Sequence, residues 1–185
     1  MKKACLIYSI FLMLFSINIG AASVYGGLGY SYGVVTAESD FWNGGDGSSP
    51  VLTMGVHFTK LAVELSYRSF AFENIHSTAS GTYNIEISNQ VLNLGLRYDL
   101  NQFSHFNFGL VSHSVDVEYT TNSSAALNSS SITGSSLSVY IGGGVHGQLF
   151  IPDLRWSVDV NYFHRTMEFG VFSFETGIFY SFYSF

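Results

Sequence analysis

The chain has 185 residues, of which only 11% are charged and 17% are aromatic, with 19 glycines, 2 prolines and one cysteine. A soluble domain carries about 25% charge, and thirteen acidic against seven basic residues exclude nucleic-acid binding, which needs basic patches. Beyond residue 22 nothing approaches the roughly 18 consecutive apolar residues of a spanning helix, so a life in lipid requires a closed sheet with every backbone group paired.

The first element is a targeting segment. Met1-Lys2-Lys3 is a short basic start, and an apolar run follows from Ala4 to Ile19. Gly20-Ala21-Ala22 supplies the small residues that a signal peptidase needs. The run is short for an uncleaved anchor, which needs about 20 apolar residues. The expectation is a signal peptide over 1–22 and a single domain over 23–185. Cleavage would remove Cys5, the only cysteine, and with it any disulfide or thiolate chemistry. Losing Lys2 and Lys3 would leave five basic residues against thirteen acidic ones, a net charge of −8.

Period-two alternation then recurs along the chain. It is clearest in Leu61-Ala62-Val63-Glu64-Leu65-Ser66-Tyr67-Arg68, where Leu61, Val63, Leu65 and Tyr67 share one face. The stretches 91–98, 137–146 and 154–162 repeat it. The opposite face is Gly, Ser, Asn and a few charges of both signs, which suits a narrow packed lumen better than a solvated sandwich face. Eight strands are predicted, over 24–36, 51–59, 61–74, 83–98, 103–119, 132–149, 154–166 and 171–185. Tight turns are expected near Lys60, at Asp99–Gln102 and at Ile151–Asp153, and long loops over 37–50, 75–82 and 120–131. Such asymmetry is typical of outer-membrane barrels, and an even strand number puts both termini on the periplasmic side.

Two strands change phase. Tyr83, Ile85 and Ile87 are odd-numbered while Leu92, Leu94 and Leu96 are even, and the stretch from Phe106 to Tyr119 switches likewise. Each switch implies either a β-bulge or an upper strand half standing clear of lipid. Glycines in 26–29 and 142–144 permit curvature and close packing. No helix follows Gly27 or Gly29 to receive a phosphate, so they form no nucleotide loop.

Val24-Tyr25-Gly26-Gly27-Leu28-Gly29-Tyr30-Ser31-Tyr32 resembles the Gly-aromatic first strand of small outer-membrane β-barrel proteins, such as the OmpA transmembrane domain and the opacity-type surface proteins. Phe185, Tyr183 and Phe179 are similar to the family's C-terminal signal, from which Ser181 departs. The resemblance implies an all-β, transmembrane, antiparallel up-and-down barrel in the bacterial outer membrane. It also implies the barrel-assembly machinery as a partner during biogenesis.

Glu64, Arg68, Arg97, Arg155, Asp159 and Glu175 should point into the lumen. An eight-stranded barrel is just wide enough to be filled by side chains, so opposite charges there should pair as a plug rather than form a gated ion path. The histidines show no metal-binding spacing, and no metal or cofactor is expected. Lipid A deacylases share this architecture and carry His-x-Ser on a late strand. This chain has His164-x-Thr166 with Glu168 and Glu175, and His113-Ser114 with Asp116. Thr is a poorer nucleophile in that role, and adjacent strand residues face opposite ways.

Tyr30, Tyr32, Tyr67, Tyr162 and Phe172 read as an outer aromatic girdle. Phe58, Tyr98, Phe103, Phe150, Trp156 and Phe182 read as an inner one. Phe41 and Trp42 in the first loop are candidates for recognition at the surface. Glu38, Asp40, Asp46, Glu73, Asp116, Glu118 and Glu168 fall toward the loops, where divalent cations would bridge them to lipopolysaccharide phosphates. The function expected is a non-enzymatic surface protein serving envelope integrity, with adhesion through its loops. The alternatives are a lipid-modifying enzyme of the outer leaflet and a small pore.

Overall fold

A strand with one apolar face has to bury that face in a core or in lipid, and a strand with a free edge has to pair it. This chain meets both demands by closure. The computed structural model describes residues 22–37, 45–78, 81–123, 126–164 and 169–184. The strands are β1 (Ser23–Ala37), β2 (Gly45–His57), β3 (Leu61–Thr78), β4 (Gly81–Asp99), β5 (Ser104–Ser123), β6 (Ala126–Gln148), β7 (Leu154–Phe163) and β8 (Phe169–Ser184). Each pairs antiparallel with the next, and β1 pairs with β8, giving a closed up-and-down barrel. The expected signal segment up to Ala21, and Glu38, Asp40, Phe41, Trp42, Thr166, Glu168 and Phe185, lie outside the described residues.

Ser23 and Ser184 pair at one end of the barrel, here called the terminal end. The connections 58–60, 100–103 and 149–153 lie there. Two of them show why the chain turns. Pro152 presets the first corner, Asp153 takes the left-handed conformation (φ 67°), and the Leu154 amide donates to the Ile151 carbonyl at 3.2 Å. In the other, Asn101 Oδ1 accepts from the amides of Phe103 and Ser104 at 2.8 and 3.0 Å.

The outward face carries an apolar belt. Leu28, Leu52, Met54, Leu65, Leu94, Phe108, Leu110, Val139, Ile141, Val160, Phe174 and Ile178 are all exposed. Exposed Tyr98, Leu100, Phe103, Phe150 and Ile151 gather at the terminal end. Above the belt the same face turns polar on four strands. Glu73, Glu86, Gln90, Ser112, Glu118, Thr133 and Ser135 are exposed there.

The predicted contrast of short turns and long loops is corrected. The stretches 45–50, 75–78, 81–82, 120–123 and 126–131 are strand, and only two residues separate β3 from β4 and β5 from β6. These Ser-, Thr- and Asn-rich stretches are paired strand, not loop. Strand ends shift as well, β7 stopping at Phe163 rather than 166. Pro50 lies within β2 because the β2–β3 ladder begins only at Val51↔Arg68. There a missing amide costs no ladder bond. Ser49 Oγ bridges the gap by accepting from the Ser69 amide at 2.7 Å.

The phase changes involve no bulge. The β3–β4 and β4–β5 ladders run in unbroken register. The barrel interior itself changes from polar to apolar toward the far end. Val35, Phe70, Phe72, Val91, Val111, Tyr140, Phe163 and Val171 form a buried core inside it, with Ile85 and Ile87 packed against them. A register shift does occur between Val24 and Tyr25, where β1 meets β8.

Candidate functional site in the barrel lumen

Strand parity aims every second residue inward, and below the apolar core these residues are polar. Arg68, 2% exposed, donates through Nη1 to Glu175 Oε2 at 2.6 Å and through Nη2 to Ser66 Oγ at 3.1 Å. Its guanidinium lies 5.0 Å from the Phe163 ring centroid, so one face of the ion meets the core. One step toward the terminal end, Arg97 Nη1 lies 3.6 Å from Glu64 Oε1, and the Tyr25 hydroxyl donates to the same oxygen. Gly95 makes room for Tyr140, whose hydroxyl occupies the space a methyl would need. The cavity in this layer, lined by Glu64, Arg68, Arg97, Tyr140, Asp159 and Glu175 among others, holds about 30 Å³. That is the share of one water.

Asp159 and Glu175 oppose each other in the β7–β8 ladder. Like charges so placed repel, and the barrel separates their partners. Glu175 takes Arg68, while Asp159 pairs with no arginine among the described residues. Its Oδ1 is hydrogen-bonded to His105 Nε2 and accepts from Asn107 Nδ2 at 3.0 Å, and its Oδ2 accepts from Ser157 Oγ at 2.6 Å. The expectation that Asp159 joins an arginine pair is thereby corrected. Arg155 stands exposed at the terminal mouth. It lines a cavity of about 380 Å³ there together with His57, Lys60, Asp99 and His146.

Composition and spacing concealed the histidines of this mouth. His57 Nε2 lies 2.9 Å from Asp99 Oδ2, and Arg97 Nε lies 3.4 Å from Asp99 Oδ1. His105 Nδ1 lies 3.0 Å from His146 Nδ1, with ring centroids 5.2 Å apart. Asp99 pairs directly with His105, and His105 with Gly144, two residues from His146. A signal was available, since Asp99 has the inward parity of Asn93 and Arg97.

Among the described residues the deacylase-like positions do not assemble. His113 is buried, 3.3 Å from Asn89 Oδ1 and edge-on to Phe163, whereas Ser114 is on the opposite face of β5. His164 is exposed and stacks near Tyr162 on the outside, while Glu175 is inside with Arg68.

No protein-family model matches the sequence, and no curated protein matches it. Solved structures do match in shape. The attachment invasion locus protein Ail of Yersinia pestis, in complex with the heparin analogue sucrose octasulfate, superposes with a TM-score of 0.59 at 17% identity. The match covers 88% of this chain and 99% of Ail. A second Ail structure gives 0.58 at 16% identity with the same coverage. The fold is that of the small eight-stranded outer-membrane barrels. Likeness at such identity establishes the architecture and carries no residue roles.

Proposed function

We propose that the chain is a non-enzymatic bacterial outer-membrane protein that holds a four-stranded sheet above the membrane as a contact surface. The carrying observation is the extent of the ladders. The β5–β6 ladder continues from Leu110↔Val139 to Ser123↔Ala126, and β3–β4 from Tyr67↔Leu92 to Thr78↔Gly81. At about 3.4 Å per residue this is roughly 40 Å of strand beyond the belt. By contrast, β2 pairs with β3 only up to Val51, and β6 with β7 only from Tyr140 onward. Among the described residues, the projecting sheet therefore has no ladder partner on its β3 edge beyond Arg68 or on its β6 edge before Tyr140. An exposed edge is a template for an extended partner chain.

The lumen below supports a structural role over a pore, because its ionic layer leaves space for about one water. The far end is acidic. Asp46, Glu73, Glu86 and Glu118 are exposed, and the only basic residue between Lys60 and Arg97, Arg68, is buried. Ail holds a sulfated heparin analogue, but an acidic rim repels such polyanions. Cationic surfaces, or lipopolysaccharide phosphates bridged by Mg²⁺ or Ca²⁺, fit it better.

Single cysteines introduced in a Cys5→Ser background test the placement. Glu86→Cys and Ser114→Cys should react with a membrane-impermeant maleimide on intact cells, and Leu94→Cys only after detergent. Failure of both upper positions to label would refute the projecting sheet. In planar bilayers the pure protein should show no steady conductance, and reproducible channels would favour the pore.

A further inference from the structure

We propose that Asp99, His105 and His146 form a site for one borderline divalent metal ion, zinc foremost, at the terminal mouth of the barrel. Candidate ligand atoms of the three residues all lie within 4.8 Å of one another. They come from the end of β4, the start of β5 and the end of β6, all on the inner face. Adjacent strands of a closed ladder are a rigid mount for such a group, and a metal there ties three strands together across a turn.

The surrounding bonds prepare the ligands. A metal-binding imidazole uses one nitrogen for the metal and donates its other N–H to a carboxylate or carbonyl. His105 has this arrangement, with Nε2 on the Asp159 carboxylate. In the neutral tautomer that donates from Nε2 to Asp159, Nδ1 carries the lone pair. That lone pair faces His146 Nδ1 at 3.0 Å. Two imidazole nitrogens on tetrahedral zinc, each bonded at about 2.0–2.1 Å, stand roughly 3.3 Å apart. Opening the pair by a few tenths of an ångström therefore admits the ion. The two rings are 3% and 9% exposed, so they face each other in a setting that excludes most water.

Asp99 supplies the independent sign. Its Oδ1 is buried with no hydrogen-bond partner and meets only the Arg97 Nε, 3.4 Å away, as a long ion pair. A buried carboxylate oxygen held so loosely has a lone pair left for a metal ion. Its other oxygen is held by His57 at 2.9 Å, which orients the carboxylate. Two imidazoles and one carboxylate are a donor set suited to zinc with an open fourth position. The mouth cavity of about 380 Å³ reaches Asp99 and His146. It provides both an access route and room for a water as fourth ligand. Arg97 faces the site but is also engaged by Glu64, and Lys60 and Arg155 stand at the solvated lip.

The test uses the refolded, untagged barrel in detergent, with Zn²⁺ followed by calorimetry and Co²⁺ by its visible absorption. The expected result is one ion per chain and a four-coordinate cobalt spectrum. His105→Ala and His146→Ala should each weaken binding at least about a hundredfold. Asp159→Asn should weaken it about 10–100-fold while leaving the cobalt band in place, as removal of an outer partner does. Heat-dependent gel mobility shows whether each variant folds, and His146→Gln serves if the alanine variant does not. His164→Ala, on the outer surface, should bind as the parent does. Absence of stoichiometric binding in the parent, or undiminished binding in the folded His105/His146 double variant, would overturn the site.

Discussion

Replacing Arg68 by Met tests the ionic layer most directly. Arg68 and Glu175 are 2% and 9% exposed, and their closest atoms are 2.6 Å apart. Two unit charges about 4 Å apart attract by about 4 kcal/mol at an effective dielectric of about 20. Desolvating both ions cancels most of that gain, so the intact pair adds little net stability. The single variant is a different matter. It leaves Glu175 in the lumen with Asp159 across the ladder, and it removes the bond to Ser66 and the contact with the Phe163 ring. Breaking a buried pair in this way costs about 3–5 kcal/mol. Changing both partners, as Arg68→Met with Glu175→Gln, should recover most of the loss and give a coupling energy of about 2–3 kcal/mol. Urea unfolding in lipid vesicles, read by heat-modifiable gel mobility, measures all four proteins of the cycle. If the double variant loses the sum of the two single losses, the residues act independently and the pair is not the organising contact of the lumen.

Gly109→Ala should destabilise the barrel by about 1–3 kcal/mol, because the added methyl meets the Leu94 carbonyl and Gly95 Cα; a lowered urea midpoint checks it. Zinc at a hundred times its dissociation constant should add about 2.7 kcal/mol. For a domain of this size that is a melting shift of roughly 5–10 °C, abolished by chelator and absent in His105→Ala. Glu73, Glu86 and Glu118 stand directly opposite one another on β3, β4 and β5, where like charges repel. Replacing all three with Gln should raise the melting temperature in chelator by about 2–4 °C and shrink the stabilisation given by Mg²⁺ in lipopolysaccharide bilayers.

Closure and strand number were legible because lipid imposes a strict rule. Leu61 to Arg68 alternate an apolar face with a sparsely charged one, as lipid on one side and a narrow lumen on the other require. Strand length was not legible. Thr120, Thr121, Asn122 and Ser123 read as loop because Ser, Thr and Asn are turn residues, yet their ladder partners in β6 keep them extended. Above the membrane neither face has to be apolar, so the alternation that marks a strand disappears while its hydrogen bonds persist. The change of phase was visible at Ile87 and Leu92, but either a bulge or an apolar lumen explains it. Pairing across β4 and β5 decides the matter.

The histidine mouth shows where one-dimensional reading stops. His105 and His146 are 41 residues apart, and no metal motif spans such a distance. Their meeting depends on register. The turn from Leu100 to Phe103 places His105 opposite Asp99, and the pairing of β5 with β6 sets Gly144 opposite His105. A slip of one residue in either ladder would turn one of these side chains outward to lipid, where an imidazole or a carboxylate is costly. The positions are therefore held by the same constraint that builds the barrel. Yet the constraint asks only for an inward residue tolerant of burial, which Asn, Ser or Gly satisfies at many lumen positions of this chain. Two imidazoles and a carboxylate converging at one mouth, with Asp159 fixing the tautomer of one and His57 holding the third ligand, exceed what closure requires. That excess separates a ligand-binding arrangement from lumen filling, whereas Arg68 and Glu175 neutralise each other within the lumen.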